Sequence, residues 1–143
     1  MTGRARRKRA GRPRATATAG RPVRWTAARL MAEAERARSF SYSPYSRFAV
    51  GAALLTRDGR VIHGCNVENA SFGLSICAER TAVCKAVGQG DRDFVACAVT
   101  AGESGGASPC GGCRQVLHEF APHAVIYWRD GRGRIVRRKL DQL

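Results

Sequence analysis

At 143 residues, 44% of them hydrophobic and 7% aromatic, the chain holds apolar material for one ordinary core and no second catalytic domain. It has no run of eighteen apolar residues to cross a bilayer and no apolar stretch near its start to form a signal peptide, so it reads as cytoplasmic, with no membrane partner. The net charge of +14 is uneven: residues 1–24 hold nine Arg or Lys and no acid, and taking nine from 25 leaves 16 basic against 11 acidic residues in the remainder.

Residues 1–24 are rich in Arg, Ala, Gly, Pro and Thr and almost free of large apolar side chains. Burial cannot offset the cost of ordering them, so a disordered basic extension is expected, followed by one folded domain over residues 25–143. Such arms are usually only solvated, although this composition also suits weak contact with nucleic acid or a transit peptide.

Trp25 to Arg38 reads as the first helix, with Trp25, Ala28, Leu30, Met31, Ala32 and Ala34 as its apolar stripe. Ser41 to Ser46 is turn chemistry, and Phe48 to Leu55 is a continuous apolar run of strand length, as expected of a strand covered on both faces. Asp58-Gly59 predicts a hairpin turn into Val61–Cys65. Asn66-Val67-Glu68-Asn69 then lies just past a strand, where alternate positions can turn one amide and one carboxylate toward a ligand's hydroxyls. A second helix is predicted from about Cys77 to Val87, with Ile76, Val83, Cys84 and Val87 on one side. Phe94 to Thr100 is a buried strand and Ala101 to Ser108 a Gly- and Ser-rich loop. Cys110 to Phe120 is a third helix, followed by strands over Val125 to Trp128 and Arg134 to Arg138. This order predicts an α/β fold: a three-layer α/β/α sandwich with a mixed sheet of about five strands and helices on both faces.

Six cysteines in a chain read as cytoplasmic favour thiolates over disulfides. Cys65, Cys84 and Cys97 fall in apolar patterns and are expected to be buried and inert. Cys77, Cys110 and Cys113 fall at two helix starts, where aligned N–H groups favour thiolates. Three cysteines with no fourth partner nearby suit a catalytic zinc, and Glu79 beside Cys77 supplies a general base. Cys-x-Glu followed later by Pro-Cys-x-x-Cys is the known signature of zinc nucleobase deaminases.

Tyr42-Ser43-Pro44-Tyr45-Ser46-Arg47-Phe48, Val50-Gly51-Ala52-Ala53-Leu54, Asn66-Val67-Glu68-Asn69-Ala70, Ile76 to Ala82 and Pro109 to Val116 carry a family likeness. Together they resemble the small, homotetrameric, zinc-dependent cytidine deaminases that act on free nucleosides, over about Tyr42 to Leu143. The resemblance implies hydrolytic deamination of cytidine and 2'-deoxycytidine to uridine and 2'-deoxyuridine plus ammonia, a step of pyrimidine salvage. It implies one zinc per chain held by Cys77, Cys110 and Cys113, attack of a zinc-activated hydroxide on C4, and Glu79 as the proton shuttle. Asn66 and Glu68 would bind the ribose and Phe48 would pack on the pyrimidine. Ala78, Ala70 and Phe72 would complete the substrate site, the last two from a neighbouring subunit. Arg80 would hydrogen-bond a ligand sulfur and offset the surplus negative charge of three thiolates on Zn(II). Family members commonly carry Tyr at the position of Phe72 and continue past the position of Leu143 to a C-terminal aromatic, so one hydroxyl contact and one closing ring are expected to be missing.

Three other readings stay open at this level. A closed structural zinc would need His63, His118 or His123 as fourth ligand. A deaminase acting on bases in RNA or on other nucleoside analogues would suit the basic tail. A catalytically weak, deaminase-like nucleic-acid-binding protein would draw its support only from the lack of the C-terminal segment that family members commonly carry past the position of Leu143.

Overall fold

The computed structural model describes residues 24–102 and 106–143; the expectation of a disordered N-terminus therefore falls almost wholly outside the described residues. Helix α1 (Ala27–Arg38) opens on Thr26, whose hydroxyl accepts the Arg29 N–H at 3.2 Å, and carries Arg36 and Arg38 in its last turn. It buries Leu30, Met31, Ala34 and Ala37. Ala28 and Ala32, expected on this stripe, are exposed, because the buried face follows the spacing from Leu30 to Ala34 to Ala37.

Strand β1 (Val50–Thr56) begins two residues later than predicted. Arg47 has a positive φ of 57°, and the Phe48 N–H and C=O are held by Ser46 and Asn66 side chains rather than by a neighbouring strand. Strand β2 (Val61–Cys65) has the predicted bounds. Helix α2 (Ala78–Gly88), strand β3 (Phe94–Ala101), helix α3 (Gly111–Phe120) and strands β4 (Val125–Arg129) and β5 (Ile135–Lys139) follow, each within a residue of expectation. Two 3-10 turns, Phe72–Leu74 and Leu140–Gln142, were not anticipated; three residues are too few to leave a periodic pattern.

The sheet has the order β2-β1-β3-β4-β5. Strand β1 is antiparallel to both β2 and β3, while β3 and β4 are parallel, so β2, β3 and β4 all run the same way. The links from β2 to β3 through α2, and from β3 to β4 through α3, are therefore crossovers that start at one edge of the sheet. Both helix N-termini, and the cysteines that begin them, meet at that edge.

The predicted three layers are present. One core, of Leu54, Val83, Val99, Leu117 and Ile126 among others, lies between the sheet and α2 with α3. The other, centred on Leu30, Met31, Ala53 and Leu55, lies under α1. Two glycines set the closeness of these layers. A Cβ at Gly51 would sit 2.1 Å from the Ala34 carbonyl oxygen on α1, and one at Gly64 would sit 2.3 Å from the Ala78 carbonyl oxygen on α2. The α2 contact falls on its first turn, next to Cys77 and Glu79. That helix buries Ala78, Glu79, Ala82, Val83 and Ala86, an alanine face that permits the close approach. Cys84, expected to be buried, lies off this face and is exposed; of the other two cysteines expected to be inert, Cys65 is half-buried and Cys97 fully buried. The far end of α2 is fixed by buried Asp91, which takes both terminal nitrogens of Arg60 at 2.8 and 2.6 Å.

Candidate metal centre and active site

Cys77 is the N-cap of α2 and Cys110 the N-cap of α3, both in extended backbone, and Cys113 lies one turn into α3. Their three Sγ atoms all lie within 4.8 Å of one another, with Cys77 and Cys110 at 4.0 Å. Thiolates at about 2.3 Å from a tetrahedral zinc are about 3.8 Å apart, so the cluster is of the right size. The donor chemistry fits as well. Burial pushes the Cys113 thiol far up, and the charge of neighbouring groups adds to this, so in that place a thiolate requires a compensating cation. Burial also opposes ionisation of Cys110, but the Cys113 N–H bonded to its sulfur at 3.4 Å and the neighbouring thiols outweigh it and bring its pKa down.

Arg80 faces the same sulfurs. One terminal nitrogen lies 3.4 Å from the Cys77 Sγ, and its Nε is the single buried side-chain nitrogen or oxygen without a partner among the described residues. An orphaned guanidinium N–H beside three sulfurs suits a site that becomes net negative when loaded. No histidine or carboxylate joins the cluster among the described residues. His63 instead meets Glu33 at 2.7 Å, His123 meets Asp141 at 3.4 Å, and His118 is exposed in the last turn of α3. A closed four-ligand site has no support here.

Glu79 follows Cys77 by two residues in the first turn of α2 and is only 4% exposed. Burial, the largest influence on it, raises its carboxyl above the ordinary value despite the opposing pull of Arg80. A cavity of about 290 Å³ reaches Glu79 and the Cys77 and Cys110 thiols, and Asn66, Glu68, Phe48, Phe72 and Ala78 also line it. Sequence reasoning missed Val50, Ser75, Ile76, Val99, Ala107 and Ser108 as further lining. Val99 reads in sequence only as a core strand residue, and Ala107 and Ser108 only as loop. Ala70 is exposed and does not line this cavity.

The strand-end residues are more engaged than their sequence suggests. The Asn66 carbonyl oxygen accepts from the Ser41 hydroxyl at 2.6 Å and the Val50 N–H at 2.8 Å, and its amide donates to the Phe48 carbonyl at 2.9 Å. Glu68 accepts from the Tyr45 and Ser46 N–H groups at 2.9 and 3.2 Å and from the Ser46 hydroxyl. These bonds, led by that hydroxyl, keep Glu68 below the usual carboxylate range. Both side chains thus tie the Phe48 loop to the end of β2 and retain one N–H and spare lone pairs for a ligand.

Metal-assisted hydrolysis with a buried general base is the chemistry that such a cavity serves, and the class it defines is the zinc-dependent deaminases. Residues 25–129 match the cytidine and deoxycytidylate deaminase zinc-binding region. The chain is 55% identical over 108 residues to a cytidine deaminase of Sporosarcina psychrophila, covering 75% of this chain and 79% of that protein. It is 58% identical over 93 residues to one from Halalkalibacterium halodurans, covering 65% and 70%. The crystal structure of a cytidine deaminase from Burkholderia pseudomallei superposes with a TM-score of 0.78 at 45% identity, over 82% of this chain and 95% of that one. The chain belongs to the cytidine deaminase family: it is a zinc hydrolase, and its three-cysteine group is able to bind a metal, in keeping with one zinc per chain.

Proposed function

We propose that this chain hydrolyses cytidine and 2'-deoxycytidine to uridine and 2'-deoxyuridine with release of ammonia, as a cytoplasmic step of pyrimidine salvage. One observation carries the reading: a buried carboxylate, Glu79, opens onto the same cavity as two of the three clustered thiols. Cys77, Cys110 and Cys113 would hold the zinc, which when bound would supply Lewis-acid activation for the attacking water. Glu79 takes a proton from that water as its oxygen adds to C4 and passes the proton to N3. It then carries the remaining hydroxyl proton to the exocyclic amine, which leaves as ammonia while the C4 carbonyl forms. Phe48 forms the wall against the pyrimidine, Asn66 and Glu68 meet the sugar hydroxyls, and Ala78 offers backbone to the base. Arg80 compensates the charge of the sulfurs.

The working form in this reading is a homotetramer. Phe40, Tyr42, Tyr45, Phe48, Val67, Phe72, Leu74 and Ile76 are all exposed, and the bridges from Tyr42 to Val67 and from Val67 to Ile76 draw part of this set together beside the cavity. Apolar surface of this kind on a soluble chain marks an interface, and Phe72 with Ala70 would reach a neighbour's site. Among the described residues, no helix is long and apolar enough to cross a membrane. Residues 25–143 would be the catalytic unit, in keeping with a family match that begins at residue 25, and residues 1–24 an extension outside it. The test is the ultraviolet absorbance of cytidine incubated with purified, zinc-loaded protein. Conversion to uridine with equimolar ammonia is expected; an unchanged spectrum with zinc bound would remove the proposal.

A further inference from the structure

The folded domain carries its net charge in one place. Residues 129–139 contain six of the 16 basic residues found after position 24 and one of the 11 acids, a surplus of five; the other ten basic and ten acidic residues cancel. The whole excess of the domain therefore lies on the β4–β5 hairpin. All six basic residues there are exposed: Arg129, Arg132, Arg134, Arg137, Arg138 and Lys139. Asp130 holds Arg134 at 2.8 Å, and no other member forms an ion pair among the described residues.

Strand β5 is the last strand of the sheet, paired only with β4, so the guanidinium groups stand along an open edge. One or two charges would be enough to keep such an edge from pairing with another strand. Here they continue through the turn at Arg132 and Arg134, which no strand could pair. A surface built for solubility mixes both signs, whereas one sign gathered along an edge projects a field toward a polyanion.

We propose that this hairpin is a binding surface for nucleic acid, gripped by its phosphate backbone without readout of base sequence. Exposed arginines on a strand edge supply charge and forked donors for phosphodiester oxygens. An anionic membrane is the less suitable partner, because surface binding to lipid needs apolar side chains to insert. None of the large exposed apolar residues falls on this hairpin; Val125, Ile126, Tyr127, Trp128, Ile135 and Val136 are buried or half-buried. The surface lies outside the substrate cavity, so occupancy by nucleic acid and turnover of nucleoside are separable.

The full chain, zinc-loaded, should be titrated into labelled single-stranded RNA of mixed sequence, and into DNA of the same sequence, across a range of salt. Both should bind about equally, as phosphate recognition requires. The combined variant Arg132→Gln, Arg137→Gln, Arg138→Gln and Lys139→Gln should lower the slope of log affinity against log salt by about 3, at about 0.7 per lost phosphate contact on a single strand. Replacing the three arginines by lysine should leave the slope in place. Unchanged cytidine turnover and melting temperature in the glutamine variant would show that the surface alone was altered. The proposal fails if the parent does not bind RNA, if the glutamine variant keeps the parent's slope, or if phosphatidylserine vesicles displace the RNA from the hairpin.

Discussion

On the metal side of the cavity Cys113 is fully buried, Glu79 is 4% exposed, and Gly64 seats the first turn of α2 directly on β2. On the opposite rim Phe48 is 44% exposed and Phe72 78% exposed, and the polar residues between them are held by a web of turn hydrogen bonds. The first side is made rigid by backbone that cannot approach closer, at two helix starts that the crossovers bring to one sheet edge. The second side is open. One chain thus gathers the thiols and the buried carboxylate on a closed side and leaves the other side exposed, and the two sides should respond differently to substitution.

The largest effect is expected on the metal side. Cys110→Ala removes one of three ligands, so metal analysis should find zinc largely lost and turnover abolished. Retention of a full equivalent would show that the cluster is not the site. Gly64→Val places side-chain atoms against α2 backbone and should destabilise by at least about 3 kcal/mol, since the obstacle is main chain rather than a movable side chain. Calorimetry should then show a melting temperature lower by roughly 10 °C, and a normal value would deny the close seating.

Rim substitutions should act on substrate affinity while zinc stays. Glu68→Gln removes a charge-assisted acceptor, so kcat/KM for cytidine should fall about 10- to 100-fold with metal content unchanged. Loss of zinc in that variant would mean that the two sides are not independent. Smallest, and concentrated in assembly, is the effect of Phe72→Ser with Leu74→Ser. If the proposed tetramer is held by this face, light scattering should report smaller species and steady-state kinetics a few-fold rise in KM, whereas an assembly unchanged from the parent's would place the interface elsewhere.

The sequence reading succeeded where one pattern answered to one physical cause. The Asp58-Gly59 turn after a continuous apolar run placed β2, and Cys-x-x-Cys at a helix start located two of the clustered thiols. It failed where packing chooses among equals. Cys84 and Val83 are both apolar neighbours in α2, yet only the face that meets Gly64 and the sheet is buried, so Cys84 is left outside. Phe48 looks in sequence like the first residue of β1, but the left-handed Arg47 and the Asn66 amide hold it off the sheet and against the cavity. Ala107 and Ser108 reach the cavity through a loop whose path no periodicity encodes. That Asn66 and Glu68 anchor the Phe48 loop was also hidden, because hydrogen bonds over 16 to 25 residues leave no local signal.

The central claim is that Glu79 moves the protons of the reaction and does not merely accompany a metal. Glu79→Gln keeps the shape and hydrogen bonding of the side chain and removes the base. Zinc content and kcat for cytidine should be measured on the same preparation of this variant. A full equivalent of zinc with kcat lower by at least about a thousandfold is the predicted result, at the upper end of what general acid–base assistance supplies. Deamination within about tenfold of the parent, with zinc in place, would contradict the mechanism outright.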